Sequence, residues 1–537
     1  MKKILLFILA INLLASCNKD FLDLKPLNLL SEDVVWQDEK LINTFVTAQY
    51  NAIPHGLDGG GDVAIYSDEV WFQANRGLGW EWATDAITAD NVTSMSVSFN
   101  YWATAYSYIN NMNVFFEKIE SAPVEASSKN QMIAQMKFIR AFVYSRLLWN
   151  YGGVPIIDKV FNLSESFQGV TRNSYQEVLN YILSDLNDAI ATLAAKQTGA
   201  NAGRASGDAA RALKARLLLY DASPLNNPTN DLTKWQAASD ASAALLNSGY
   251  SLYPDYGKLF LIDGNSEIIF QRYFNASAGT PFNSWATTTG SNGRGWYTPT
   301  QNLVDAFEMT NGELPFLADG TVNPDSGYDP SNPYINRDPR FYATVLYNGA
   351  MFRNYAIEVY PGGRDLKPGN DASTLTGYYL RKFVDPAQPI ALGNYGVNPW
   401  IFFRLGEVYL NYAEAQFQLG HEDVARTYVN LVRTRVGMPD ITESGAELLV
   451  RIWHERQVEL NYEGHRFRDV RRWKIAPQTE SLPIMGTQAA LVAPGKYTYK
   501  PVVVSKRNWS DKLYYLPIPR DEIIKSGNSL IQNPGWQ

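Results

Sequence analysis

The sequence predicts a mainly α protein: a TPR-like helix-turn-helix scaffold with a loop-rich middle region containing a few short strands. Apolar residues recur at helical spacing through the first half and again after about residue 400. Between Gly249 and Pro399 that period gives way to Gly, Pro, Asn and Asp separating short apolar runs. A chain of 537 residues, 45% of them hydrophobic, is also long enough to bury a large core.

The first segment reads as a signal rather than as part of the fold. Lys2 and Lys3 precede the apolar run Ile4 to Leu14, and Ala15-Ser16-Cys17 follows, which gives the basic, apolar and small-residue regions of a secretory signal. The run is too short to span a bilayer, which takes ~20 apolar residues. Leu14-Ala15-Ser16-Cys17 resembles the bacterial lipobox, and Cys17 is the one cysteine of the chain, so no intramolecular disulfide can form. Residues 1–16 are therefore expected to be a lipoprotein signal peptide, and 17–31 a tether lipidated on Cys17 with diacylglyceryl and palmitate. Several acyl chains on one residue make anchoring effectively permanent, where a single chain holds only marginally.

Residues 32–248 form the N-terminal helical region. A helix is expected at Glu39 to Ile53, and then a loop-like stretch from Pro54 to Ser98 holds Gly59, Gly60, Gly61, Gly77 and Gly79 among Trp71, Trp80 and Trp82. Long loops in compact domains are functional or disordered, and three tryptophans argue against disorder. Helices follow at Phe99 to Glu120 and Lys129 to Tyr151; in the second, Ile139, Val143 and Leu147 recur at i+4. Tyr151-Gly152-Gly153-Val154-Pro155 ends it, since glycine supplies a left-handed cap and proline cannot continue the helix. Further helices are expected at Ser174 to Leu193, Ser206 to Tyr220 and Lys234 to Asn247.

Residues 249–537 form the C-terminal region, expected to pack with the first as one compact unit. Strands are expected at Glu267 to Arg272 and Thr344 to Tyr347. Leu405, Val408, Tyr409, Tyr412, Ala415 and Leu419 lie on one helical face, Gly420 ends that helix, and Val424, Tyr428, Leu431 and Val432 begin another. This pair partly matches the tetratricopeptide pattern, but its later proline is out of place. A third helix is expected at about Ala446 to Tyr462.

Composition and motifs exclude several function classes. A net charge of -7 with no basic stripe leaves nucleic acid no electrostatic footprint. His55, His421, His454 and His465 are scattered, so no metal site and no cofactor are expected. Gly59 to Gly61 lack a following Gly-Lys-Ser/Thr, no Rossmann glycine triplet appears, and there is no G-x-S-x-G elbow. Asp58 and Asp62 flank three glycines without EF-hand spacing. Glu455 and Glu459 lie one turn apart as a glycosidase pair might, but surrounding arginines would lower their pKa values rather than raise one, so structural ion pairing is expected. The 14 Trp, 32 Tyr and 24 Phe make aromatic content the unusual feature, suited to wet interfaces and sugar binding as well as to inter-helix packing.

Five segments in order resemble the SusD/RagB family of nutrient-binding lipoproteins of Bacteroidota. They are Lys137 through the Tyr151-Gly-Gly-Val-Pro155 turn, Ala209 to Tyr220, Arg404 to Ala415, Glu455 to Trp473, and Leu516-Pro-Ile-Pro519 through Gln532-Asn-Pro-Gly-Trp536. The resemblance implies TPR-like helix pairs acting as a scaffold, with a loop-rich remainder packed on it and no catalysis. It also implies an outer-membrane, cell-surface lipoprotein that binds an oligosaccharide and passes it to a SusC-like TonB-dependent transporter, and Lys19-Asp20 is similar to the surface-export signal of such proteins.

In that family the ligand lies on an aromatic surface built from loops, and position in the chain then selects Trp71, Trp80, Trp82, Trp285, Trp296 and Tyr297 as stacking rings. Asn75, Arg76, Asn292 and Arg294 are the neighbouring groups able to hydrogen-bond sugar hydroxyls. Two alternatives come from other classes: a lipid-anchored glycoside hydrolase, and a TPR-like scaffold that binds only protein.

Overall fold

The computed structural model describes residues 32–56, 63–72, 86–94, 99–161, 165–367, 369, 373–390 and 396–536. Cys17 and the whole proposed leader and tether, Gly59 to Gly61, Asn75, Arg76, Trp80 and Trp82 lie outside the described residues.

Helices dominate, as the periodicity requires. Asp38 caps α1 (Glu39–Gln49) by accepting from the backbone N–H groups of Lys40 and Leu41, which satisfies two donors that the first turn leaves open. The helix stops at Gln49 and a tighter turn covers 50–52, so the expected helix to Ile53 is shorter and ends in a 3₁₀ turn. After α2 (Trp102–Ile119), α3 (Ala126–Tyr151) is buried around most of its circumference over its second half and runs through the core, burying Phe138, Ile139, Phe142, Val143 and Leu147. Arg140, one of two buried arginines of this helix with Arg146, is paired with Asp185 of α4 (Tyr175–Thr192) through two hydrogen bonds of 2.8 Å. A capping box between Ser174 and Glu177 begins α4.

The glycine pair that ends α3 has two separate reasons. Gly152 adopts φ +72° and its N–H returns to Leu148 O, whereas Gly153 has no room for a side chain, because a Cβ there would lie 2.1 Å from Asn173 O. Arg172 donates to Gly153 O and Tyr151 O at 2.7 Å, and Asn533 near the C-terminus donates to Tyr151 O at 3.1 Å. The turn therefore anchors the far end of the chain.

Helices α5 (Gly207–Ala222) and α6 (Leu232–Leu246) pack on one another, as do α7 (Leu405–Gln418) and α8 (Glu422–Arg435), and α7 also packs on α6. The helix pairs thus stack across residues 247–404, which leave the stack and return to it. The departure and return are clasped together: β2 (Ile268–Arg272) pairs antiparallel with β6 (Trp400–Arg404) from Ile268 opposite Arg404 to Arg272 opposite Trp400. Helix α9 (Gly445–Glu459) adds to α7 and α8, and α10 (Arg466–Arg472) follows.

The remaining strands are short pairs: β1 (Val70–Phe72) with β3 (Tyr297–Pro299), β4 (Val345–Leu346) with β5 (Tyr379–Leu380), and the two-residue strands Met351–Phe352 and Tyr355–Ala356 with each other. The exception is a ten-residue-per-strand hairpin, β7 (Ile484–Ala493) and β8 (Lys496–Ser505), which sequence periodicity does not predict.

Behind the clasp lies a buried ion network. Arg404 Nη1 donates to Glu267 at 2.7 Å and to Glu459 at 2.6 Å, and its other nitrogens reach Glu463 at 2.8 Å. Glu459 also accepts from Arg435 at 2.6 Å and from Arg340 at 3.0 Å, and Arg340 goes on to Glu455 and Asp338. Burial alone would raise the Glu459 carboxyl, but Arg435, Arg404 and Arg340 outweigh it and hold the group far below the usual range. The same balance lowers Glu455 through Arg340 and Arg433, and Glu463 through Arg404 and Lys382. Burial brings the Lys382 ammonium down to about 8 against the pull of Glu463.

Two predictions follow from this network. Glu459→Gln leaves three buried guanidinium groups under-neutralised and should cost about 3–5 kcal/mol, read as a lowered denaturation midpoint at unchanged m-value. Glu455, Glu459 and Glu463 all titrate below their unfolded value in the folded chain, so their stabilisation is complete above about pH 5. It is lost as pH falls through the folded values. Thermal melts from pH 7 to pH 3 should show Tm falling more steeply below about pH 5, and that acid-range fall should be smaller in Glu459→Gln; equal falls in the two proteins would contradict the assignment.

Candidate functional site

Of the residues selected from sequence, the structure describes Trp71, Trp285, Asn292, Arg294, Trp296 and Tyr297. Pairing of β1 with β3 places Trp71 opposite Thr298 and Phe72 opposite Tyr297. Neighbouring residues on a strand face opposite ways, so Phe72 and Trp71 point to different sides of the pair. Phe72 meets Tyr297 with ring centroids 5.2 Å apart and Trp296 at 6.0 Å. Trp71 is half-buried, its backbone carbonyl accepts from Thr298 Oγ1 at 3.0 Å, and its indole Nε1 is buried with no hydrogen-bond partner among the described residues.

Trp285 and Trp296 form the centre of the group. The Trp296 N–H donates to Trp285 O at 2.8 Å, which sets the two residues side by side, and their rings lie 5.3 Å apart at 35°. Arg294 N–H donates to Ser284 O at 2.7 Å, and its guanidinium stands 5.9 Å from the Trp296 ring centre. Exposure divides these residues: Trp285 and Arg294 are half-buried and Asn292 is exposed, whereas Trp296 is 8% exposed and Tyr297 1%. Trp285, Arg294 and Asn292 therefore offer surface to a ligand, while Trp296 and Tyr297 form the packed wall behind them.

The turn between the two tryptophans is held from both sides. Thr288 caps it by accepting from Ser291 N–H at 3.2 Å, Gly293 N–H returns to Thr288 O at 2.8 Å, and Asn292 takes the left-handed conformation at φ +65°. A Cβ on Gly293 would lie 2.5 Å from Thr287 O, so only glycine fits this approach. Beneath the turn, Tyr355 OH meets Thr288 Oγ1 at 3.2 Å, Ser291 Oγ, and Asp365 Oδ1 at 3.4 Å; Asp365 is fully buried. Phe72 carries a faint sequence signal as the partner of Trp71 in an alternating run. Nothing local to Tyr355 or Asp365 connects them to a turn some 65 to 75 residues earlier.

The arrangement suits binding. Trp285 supplies an aromatic face, Arg294 and Asn292 supply polar groups beside it, and the turn fixes all three. The carboxylates that sequence set against a hydrolase pair are in the ion network: Glu455 and Glu459 are buried and held ionised by arginines, so neither can serve as a general acid.

Residues 266–536 match a sequence model of the SusD family, and residues 20–219 match one described as starch-binding, associating with outer membrane. A SusD-like protein of Formosa agariphila is 24% identical over 517 residues, which cover 88% of this chain and 90% of that one. The crystal structure of a SusD-like protein from Bacteroides fragilis superposes with a TM-score of 0.81 at 30% identity, covering 95% of this chain and 100% of that one. A SusD-like carbohydrate binding protein from the same species gives 0.79 at 26% identity, covering 92% and 99%. With a helix-pair scaffold of the same shape and a family match over its whole C-terminal half, this chain belongs to the SusD family.

Proposed function

We propose that this chain is a cell-surface lipoprotein that binds an oligosaccharide and delivers it to a SusC-like TonB-dependent transporter without chemically changing it. The observation that carries the reading is the Trp285–Trp296 pair with Arg294 and Asn292 on one rigid turn, in a fold shared with a carbohydrate-binding relative of 26% identity. Sugar rings present C–H faces that lose water against an aromatic plane, and each such contact contributes on the order of 1–2 kcal/mol. Trp71 stays in the proposed surface by its place in the chain, although its ring lies on the other side of the β1–β3 pair from Phe72. Trp80, Trp82, Asn75 and Arg76 belong to the same proposed surface by their place in the chain.

The anchor and the location complete the proposal. Lipid on Cys17 would hold the chain at the outer membrane, facing the exterior, in keeping with the outer-membrane association described for the family model matched by residues 20–219.

Trp285→Ala should weaken binding of the responding glycan from a neutral oligosaccharide array by about 5- to 30-fold, because one stacking contact is removed, while the loss of its packing on Trp296 lowers Tm by only a few degrees and leaves the chain folded. Incubation of the pure protein with that glycan should release no reducing ends. Unchanged affinity would remove Trp285 from the site, and turnover would replace binding by hydrolysis as the activity. Cys17→Ser should move the protein from the membrane pellet to the soluble fraction after export, whereas a pelleting variant would discard the lipid anchor.

A further inference from the structure

We propose that a groove between α1, the loop at 196–205 and the outer end of β2 is a second saccharide site, selective for sugars that carry a carboxylate or a sulfate. This assignment rests on the reading of the chain as a glycan-binding protein, but it shares no residue with the Trp285 surface. The groove has a volume of about 760 Å³, within the range of small-molecule sites. Among the described residues its lining contains two arginines, Arg204 and Arg272, and no aspartate or glutamate, in a chain whose net charge is -7.

Among the described residues the two guanidinium groups are positioned without an acidic partner. Asn43, Thr47 and Asn51 follow one another at i+4 spacing, so they line one side of α1 and its continuation, each about one turn of 5.4 Å further along. Arg204 Nη1 donates to Asn43 Oδ1 at 3.2 Å and to Gln135 Oε1 at 3.0 Å, and its Nη2 donates to Thr47 Oγ1 at 3.0 Å. Arg272 Nη2 donates to Asn51 Oδ1 at 3.4 Å. Every one of these acceptors is an amide or a hydroxyl. Amides and hydroxyls orient a guanidinium and leave its charge in place, and a free guanidinium edge matches a carboxylate or sulfate with two parallel hydrogen bonds.

A sugar also needs an aromatic face, and the same groove supplies one. Tyr273 is 41% exposed and its ring lies over Gly203, where a Cβ would come within 2.8 Å of it. The loop that carries Gly203 and Arg204 is pinned in turn, because Ala205 N–H donates to Tyr50 OH at 2.8 Å. Two positioned cations one or two helical turns apart, beside an exposed ring, form a surface for an acidic sugar unit rather than for a single free anion.

The test is calorimetry on the intact chain with matched pairs: tetragalacturonate against its methyl ester, and a sulfated tetrasaccharide against its desulfated form, at low and at 500 mM NaCl. At least one acidic member should bind tenfold or more tightly than its neutral counterpart and lose most of that preference at high salt. Arg204→Gln and Arg272→Gln should each weaken it by fivefold or more at unchanged Tm, with Arg272→Lys retaining part, while neutral-glycan binding at Trp285 persists in all three variants. Should Arg204→Gln lower Tm, the matched pairs and the salt series on the unaltered chain still decide.

Neutral glycans bound with no acidic preference would overturn this site and leave the glycan-binding function standing. Failure of every glycan would overturn both. Inorganic sulfate, or an acidic peptide, binding as tightly as any acidic tetrasaccharide would overturn the assignment to sugar.

Discussion

The pairing of Arg404 with Glu267, Glu459 and Glu463 is the constraint on which the rest of the structure depends. Arg404 ends β6 and precedes α7, Glu267 precedes β2, Glu459 ends α9 and Glu463 follows it in the turn to α10. One guanidinium therefore fixes where the middle region leaves the helix stack, where it returns, and how the C-terminal helices sit against that seam. A buried charge without partners is very costly, so the network admits few alternatives to the observed assembly. The loops that carry Trp285 and Trp296 hang between the two clasped ends and take their orientation from them.

Much of this was legible in the sequence, and the parts that were not share a physical reason. Helices announced themselves through apolar spacing, and the Gly152–Gly153 stop could be read because its cause lies within a few residues. Helix α10 is the opposite case. Its run Arg466-Phe-Arg-Asp-Val-Arg-Arg472 looks like a solvated face, yet Arg466 is buried against Asp68, 398 residues earlier, and Arg472 against Glu414 and Asp469. Hydropathy assigns such a segment to the surface, because Asp68 and Glu414, which neutralise it together with the local Asp469, are distant in sequence. The β7–β8 hairpin escaped for a different reason. Leu491, Val492 and Val503 are exposed, so the strands lack the alternation of buried and exposed positions that marks a half-buried strand.

The proposed binding surface was legible only as aromatic density. Trp285 and Trp296 are near one another in sequence, and a single backbone hydrogen bond joins them. That Trp71 borders the same strand pair depends on β1 meeting β3 across 227 residues, and that the turn rests on Asp365 depends on packing from the middle region. Exposure then sorted rings that composition had treated alike, since Tyr297 faces the core and Trp285 reaches the surface.

Arginine has two different parts at the two ends of one strand pair. Arg404 stands opposite Ile268, and Arg272 stands opposite Trp400, so the ends of the ladder lie roughly 13 Å apart at ~3.4 Å per residue. At the inner end the guanidinium meets three carboxylates and its charge is spent inside the fold. At the outer end, among the described residues, it meets the Asn51 amide and the face of Phe274 at 5.7 Å and pairs with no acid. Stability explains the first arrangement, because the charge is buried and must be matched. The second is a half-buried cation oriented by neutral groups at the wall of an open groove, and the acidic sugar proposed above is the counter-charge that would engage it.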